Sequence, residues 1–205
     1  MILHIHPDNP QPRAIETVRK VLEDGGIIIY PTDTLYAFGC DPFNASAVEK
    51  LCRIKGIKTK DARFSIVCAD LSDLSKFAKS VNSSTFRVLK ATLPGPYTFI
   101  LPASKEVPKL LKQHRDAIGI RVPKHCVPRD IIAALGRPLM SASLPTAGAE
   151  VEAYTDPEQI EDIFGNQVDI VINSGYGNSV PSTVIDCTGE MPEIIREGAG
   201  PVDVI

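Results

Sequence analysis

The chain lacks the segments that carry a protein into or across a membrane. Its apolar runs are short, such as Ile27–Tyr30, whereas a membrane-spanning helix needs about 20 apolar residues. Residues 1–10 have no basic start and no long apolar centre, so no secretory signal is expected. We therefore expect a protein without a membrane partner.

The patterns that bind metals or form disulfide frameworks are also missing. The five cysteines are odd in number and widely spaced, without a CxxC pair, and the four histidines show no metal-ligand spacing. Widely spaced, unpaired cysteines are typical of reduced and mostly buried thiols. These features predict a cytoplasmic protein without a metal site.

The familiar nucleotide-binding and nucleophile motifs are absent as well. The sequence contains no GxxxxGK[ST], GxGxxG or HExxH, and no GxSxG elbow presents a serine nucleophile. Any phosphate would therefore have to be held by side chains scattered over several strand ends.

What the chain does contain is organised around residues 26–41, GIIIYPTDTLYAFGCD. The apolar run between Gly26 and Pro31 predicts a strand buried on both faces, and Pro31 ends it because proline has no N–H for the ladder. The residues Thr32, Asp33 and Thr34 then follow the carboxyl end of the strand, where open α/β sheets bind ligands. A capped turn explains these three residues equally well.

The remaining pattern alternates strands and helices, which predicts one α/β domain over residues 1–205. Strands are expected at 1–5, 64–69, 97–101, 117–122, 137–143, 168–173, 182–186 and 194–198, and helices at 12–23, 45–55, 71–75, 83–93, 105–114, 128–135 and 156–164. The helix over 105–114 is expected to be basic and amphipathic. The order of the strands does not follow from the pattern.

Hydroxyl side chains recur at four predicted strand ends. They are Thr32 and Thr34, Thr98, Ser141 and Ser143, and Ser182 and Thr183. Three cations, Lys55, Arg121 and Arg196, lie at element ends or inside apolar strands, and hydroxyls with Lys and Arg suit a phosphate. Each residue alone also fits a cap, a turn, an ion pair or a solvated helix end. The recurrence at strand ends favours a binding site.

The charge is unevenly distributed along the chain. Residues 1–137 hold 21 of the 22 Lys and Arg residues, and residues 138–205 hold 12 of the 25 Asp and Glu residues. Such a division can indicate a basic face for an anionic partner or two solvated surfaces.

Six segments follow one another along the chain: YPTDTLYAFGCD, PGPYTFIL, GIRVP, RPLMSAS, PSTVID and REG. Three more are IHPDNPQ, CRIK and FSIVCADLSDLS. In this order the first six resemble the YrdC/YciO-like family over nearly the whole chain, and the last three resemble its YciO branch. The resemblance implies a twisted open sheet of parallel and antiparallel strands, with helices on the convex face and a basic cavity on the concave face.

The resemblance also implies chemistry. The family's best understood members are threonylcarbamoyl-AMP synthases, which use ATP, L-threonine and bicarbonate and release pyrophosphate; other members bind double-stranded RNA or tRNA. Lys55, Ser141, Ser143, Ser182, Thr183 and Arg196 would meet the nucleotide, with Mg²⁺ alongside. Thr32, Thr34, Tyr36, Thr98 and Arg121 would lie at the amino-acid end. No side-chain nucleophile is needed, because the threonine carbamate attacks the α-phosphorus and the protein positions the reactants.

Two of the family's synthase motifs are incomplete in this chain. The K-x-R motif reads Lys55-Gly56-Ile57, and the S-x-N motif reads Ser143-Leu144-Pro145. Losing one positioned donor in such a site costs about 2.7–4 kcal/mol. Lys58 or Arg63 in the following basic loop could compensate for the missing arginine, and nothing in the sequence shows that either one does.

The sequence therefore favours a cytoplasmic YciO-type protein that binds nucleotide and structured RNA, as a monomer or weak homodimer, with weak or lost synthase chemistry. A working threonylcarbamoyl-AMP synthase is the alternative. A third possibility is a partner-binding protein whose cavity is vestigial.

Overall fold

The computed structural model describes residues 1–111, 116–144 and 154–203. Ten strands of this part form one mixed sheet, in the order β1-β8-β2-β3-β7-β4-β6-β5-β9-β10. The strands are β1 (Ile2–His4), β2 (Ile28–Tyr30), β3 (Ala37–Cys40), β4 (Ser65–Val67), β5 (Tyr97–Pro102), β6 (Ala117–Arg121), β7 (Leu139–Ser143), β8 (Ile170–Asn173), β9 (Thr183–Asp186) and β10 (Glu193–Arg196).

Six α-helices and two short 3-10 helices accompany the sheet in the described residues. The α-helices are α1 (Pro12–Glu23), α2 (Ala45–Ile54), α3 (Leu71–Phe77), α4 (Ser83–Thr92), α5 (Cys126–Leu135) and α6 (Pro157–Phe164). The 3-10 helices span Thr59–Asp61 and Lys109–Leu111. No helix in the described ranges has the length and apolar character needed to cross a bilayer.

The ends of α2 show how local chemistry places a predicted site residue. The Asn44 side chain accepts a hydrogen bond from the Ala47 N–H at 3.1 Å and so caps the first turn. At the other end Gly56 adopts a φ of +65°, which a β-carbon would disfavour, and the chain leaves the helix. Lys55 is therefore the C-terminal cap residue of α2.

The sheet separates two apolar clusters. One contains buried residues of α2, α3, α4 and α6, and the other contains buried residues of α1 and α5. Because successive strand residues point to opposite faces, α1 and α5 pack on the face opposite the other four helices. They cover only part of that face, and the candidate site lies beyond them.

The predicted open mixed sheet is confirmed, with parallel pairs such as β4–β6 and antiparallel pairs such as β3–β7. One strand was missed: Ala37–Cys40 pairs antiparallel with both β2 and β7. The turn at Thr32–Thr34 therefore leads into a second strand of the same sheet.

The predicted basic helix over 105–114 is wrong in its described part. Helical geometry there is confined to the 3-10 turn Lys109–Leu111. Pro108 explains this, because proline inside a helix removes one backbone donor and clashes with the preceding turn. Residues 112–115, which complete the predicted helix, lie outside the described residues.

Candidate functional site

The floor of the candidate site is a row of small residues on neighbouring strands. Ser141 of β7 is opposite Gly39 of β3 and Ser65 of β4, and Ser65 is opposite Gly119 of β6. Gly119 in turn is opposite Ile100 of β5. Ser141, Ser65 and Gly119 carry no bulky side chain and leave a depression in the face of the sheet, whereas the space over Gly39 is filled by the Tyr30 and Leu139 side chains.

A cavity of about 220 Å³ lies over this row. Six predicted site residues line it: Thr98, Arg121, Ser141, Ser143, Ser182 and Arg196. A smaller space of about 20 Å³ adjoins it, lined by Thr34 and Tyr36 and sharing Arg121, Ser141, Ser143, Ser182 and Arg196 with the larger cavity. The structure thus brings eight of the eleven predicted residues together.

The remaining three predicted residues, Lys55, Thr32 and Thr183, line neither space. Each of them is bonded to, or next in the chain to, a residue that lines one of the spaces: Lys55 to Ser143, Thr32 to Thr34 and Thr183 to Ser182. Pro145, the substituted position of the S-x-N motif, lies outside the described residues.

Arg121 combines an ion pair with a position on the cavity wall. Its Nη2 donates to the Asp33 carboxylate at 3.0 Å and to the Thr34 hydroxyl at 2.9 Å. Its Nε is buried without a partner in the described structure. Within the described residues, Nη1 is its one nitrogen that is neither bonded nor buried, so Nη1 can reach a ligand.

Arg196 approaches the same space from the end of β10. Its Nε and Nη2 both donate to the Ser182 carbonyl, at 3.2 and 2.8 Å. Burial and the neighbouring charge of Arg121 lower the pKa of Arg196. Arginine nevertheless stays protonated in proteins. Arg121 is paired with Asp33, whereas no carboxylate among the lining residues balances the charge of Arg196, so an anion bound in the cavity would be attracted by Arg196.

Lys55 supports the cavity wall from behind. Its ammonium group donates to the Ser143 carbonyl and lies 5.8 Å from the centre of the Phe38 ring. Burial lowers the pKa of Lys55. The side chain is therefore neither a freely solvated helix-end cation nor, in this arrangement, a cavity-lining one.

The turn after β2 determines which hydrogen bonds the Thr34 hydroxyl donates and which it accepts. Thr32 donates its only hydroxyl hydrogen to the Leu35 carbonyl at 2.7 Å. The 3.0 Å contact between the two hydroxyls must therefore use the hydrogen of Thr34. Since Thr34 also accepts from Arg121, only a lone pair remains for a ligand, which suits an N–H donor such as an amine.

Thr183 holds the loop that follows Arg196. Its hydroxyl donates to the Gly200 carbonyl at 2.6 Å and accepts from the Gly198 N–H at 3.0 Å. The side chain is fully buried. Its role in this structure is to position the segment carrying Arg196, not to contact a ligand.

Tyr30 sets the direction of the Ser141 hydroxyl. The Tyr30 hydroxyl donates to Ser141 Oγ at 2.8 Å, and burial raises the pKa of Tyr30 to about 12, so it remains a donor at neutral pH. Ser141 accepts this bond and keeps its own hydrogen for another acceptor. A ligand oxygen in the cavity can take that hydrogen.

We expect Tyr30→Phe to lower the free energy of unfolding by about 1 kcal/mol, because one buried hydrogen bond is lost while the ring remains. Chemical denaturation measures this change. The matched control is Tyr176→Phe, since Tyr176 is 81% exposed and should leave stability unaffected. Equal effects of the two substitutions would contradict the assigned role of Tyr30.

The structure adds lining residues that the sequence did not single out, which are Ser65 at the start of β4, Gly119 within β6, Ile100 and Val184. It also places Arg63, from the loop before β4, on the lining. Arg63 was one of two candidates in its loop, and nothing in the sequence distinguished it from Lys58. Ser65 and Gly119 carry no local signal, because their role depends on strand order.

The lining does not provide a magnesium site of its own. The residues that line the two spaces include no carboxylate, and no metal-type cluster of acidic, His and Cys residues occurs in the described ranges. Mg²⁺ prefers carboxylate and phosphate oxygens. Any Mg²⁺ here would arrive with a ligand's phosphates.

This chain is similar in sequence to a known protein family and to several of its members. The family model Sua5_yciO_yrdC, described as "Telomere recombination", matches residues 20–198. The protein YciO of Escherichia coli K12 is 44% identical over 200 residues, covering 97% of this chain and 96% of YciO. A threonylcarbamoyl-AMP synthase of Vibrio vulnificus is 30% identical over 187 residues, covering 90% of this chain and 98% of the synthase.

Solved structures agree with these sequence matches. The crystal structure of E. coli YciO superposes with a TM-score of 0.91 at 42% identity, covering 100% of this chain and 98% of that one. The P. abyssi Sua5 structure in complex with L-threonine gives a TM-score of 0.86 at 25% identity, covering 99% of this chain and 59% of the longer Sua5 chain.

Proposed function

Because the chain belongs to the Sua5/YciO/YrdC family, we propose that it binds a nucleoside triphosphate in the sheet cavity. The single observation that carries this proposal is the convergence of Arg121 and Arg196 on one cavity lined by hydroxyls. Charge-assisted hydrogen bonds from such groups to phosphate oxygens contribute about 1.5–3 kcal/mol each.

The two adjoining spaces suit the two ends of a ligand. Ser141, Arg121 and Arg196 line both spaces and favour an anion in either. The smaller space adds the lone pair of Thr34, which favours an amine, and the larger cavity adds Arg63, which favours negative charge. A nucleotide with a small amino acid beside it matches this polarity, and Sua5 of P. abyssi has been crystallised with L-threonine.

We propose that synthase chemistry is weak or lost in this chain. Ile57, at the position of the family's K-x-R arginine, packs against the apolar cluster and contributes no donor to the cavity. The protein would still position ATP with its Mg²⁺, and cation contacts would stabilise charge on the phosphates. These residues bind and orient; none is placed as a nucleophile.

Calorimetric titration with Mg·ATP, adenosine and inorganic phosphate tests the nucleotide proposal. We expect Mg·ATP to bind more tightly than adenosine, because the cavity supplies most of its contacts to phosphate. The affinity for Mg·ATP should fall in the variant Arg196→Gln, because the substitution removes one of the two converging cations. Equal affinity for adenosine and ATP would contradict the proposal.

A working synthase is the alternative, favoured by the 30% identity to the V. vulnificus enzyme. Pyrophosphate release from ATP with L-threonine and bicarbonate separates the two. Steady turnover that depends on all three reactants and falls in Lys55→Ala would favour the synthase. Release at the background rate would favour binding without efficient chemistry.

Structured RNA, either a duplex or tRNA, is a second candidate ligand. We propose that the protein would meet it in the cytoplasm. The observation behind it is the excess of basic residues in 1–137, together with Arg63 at the cavity. A duplex would lie across the cavity and contact it through phosphates and 2′-hydroxyls. Such binding should weaken steeply with salt, and salt-independent binding would argue against it.

A further inference from the structure

Arg63 is a cavity-lining cation without a committed partner. It is exposed and lines the larger cavity from the loop before β4. No hydrogen bond or ion pair joins its guanidinium group to the described part of the chain. All five of its N–H donors are therefore available to a ligand.

The other cations at the site are already engaged. Arg121 is bonded to Asp33, Arg196 to the Ser182 carbonyl and Lys55 to the Ser143 carbonyl. These bonds hold the side chains in place but leave each with fewer donors. An anion entering the cavity would find the most unsatisfied donors at Arg63.

The position of Arg63 makes the two ends of the site chemically different. Arg63 lines the larger cavity and not the smaller one, whereas Thr34 and Tyr36 line the smaller one and not the larger. The uncommitted guanidinium group therefore lies at the end away from the lone pair of Thr34. A ligand with an amine near Thr34 would carry its negative charge towards Arg63.

We infer that Arg63 is the residue that selects ligands with more than one phosphate, binding the outer phosphates of a nucleoside triphosphate. This inference rests on the proposed nucleotide-binding function and names its charge-selecting residue. A guanidinium fork matches two phosphate oxygens at once, which an ammonium group cannot do. Arg63 therefore takes over in this chain the donor that Ile57 does not supply.

Lys58 provides a matched control within the same loop. It is exposed, carries the same charge and does not line either space. If the total positive charge of the loop determined the affinity for phosphates, Lys58→Gln and Arg63→Gln would weaken binding equally. If the cavity position matters, only the substitution at Arg63 will do so.

The test is calorimetric titration of the full chain with AMP, ADP and ATP, each with Mg²⁺, and with inorganic tripolyphosphate. For Arg63→Gln we expect ATP and tripolyphosphate affinity to fall by about tenfold or more, and AMP affinity by less than about twofold. Arg63→Lys should recover part of the loss, and Lys58→Gln should match the wild type. Unchanged unfolding midpoints will show that the variants fold.

Each other outcome has a definite meaning. Wild-type ATP affinity in Arg63→Gln, an equal loss for AMP and ATP, or an equal loss in Lys58→Gln overturns the inference. If the wild type binds tripolyphosphate through Arg63 but no adenine nucleotide, the nucleotide proposal fails and the anion-selecting role of Arg63 stands. Binding of neither probe overturns both.

Discussion

Replacing Arg121 with alanine is expected to lower the free energy of unfolding by about 3–5 kcal/mol, because it leaves the Asp33 carboxylate buried without its charge partner. Both side chains of this pair are only 10% exposed, and their atoms lie 3.0 Å apart. The substitution also removes the bond to Thr34. In a chain of this size the melting temperature should fall by roughly 6–20 °C.

Chemical denaturation and thermal melting both measure this loss. The matched control is Lys76→Ala, because the pair between Lys76 and Asp73 is exposed and should contribute less than about 1 kcal/mol. The double variant Arg121→Gln with Asp33→Asn should recover part of the stability, since no unpaired charge remains. Equal stability losses in Arg121→Ala and Lys76→Ala would contradict the structural role of the pair.

Gly198→Ala is expected to damage both stability and ligand binding. A β-carbon at this position would lie 2.2 Å from the Pro181 carbonyl oxygen and 2.6 Å from the Ser182 carbonyl carbon. Backbone atoms cannot rotate away, so the loop must move. Overpacking of this kind costs about 1–3 kcal/mol, and the same movement would displace Ser182 and Arg196 from the cavity.

Thermal melting and nucleotide titration of this variant measure the two effects separately. Gly189→Ala is the control, because a β-carbon there would approach only the Met191 carbonyl oxygen at 3.8 Å. We expect Gly198→Ala to lose at least about tenfold in affinity if both displaced residues bind ligand. Wild-type affinity in Gly198→Ala would show that this loop does not shape the site.

Local chemistry allowed much of the fold to be predicted. The apolar run before Pro31 is a fully buried strand, and Asn44 and Gly56 bound a helix as expected. These features depend on residues close together in the chain. The helix predicted over 105–114 failed because the basic and apolar spacing was given more weight than Pro108.

The site itself was only partly predictable. Ser141 and Ser182, two of the hydroxyl residues predicted at strand ends, line the cavity. Thr183 follows the same pattern, but its side chain faces the Gly200 loop. Adjacent residues in a strand point to opposite faces, and the sequence does not show which face is open.

Long-range pairing explains what the sequence could not show. The cavity floor exists because Ser141, Ser65 and Gly119 stand side by side on three strands that are distant in the chain. Their alignment depends on the order and register of the sheet. Arg63 likewise becomes distinguishable from Lys58 only when the loop is placed against the cavity.

The most direct test of the central claim is the melting temperature titrated with Mg·ATP, with and without L-threonine. A ligand that binds the folded state stabilises it by mass action. We predict a rise with Mg·ATP and a further rise when L-threonine is added, because the two ends of the site bind different parts of one assembly. No shift with either ligand at saturating concentration would contradict the account.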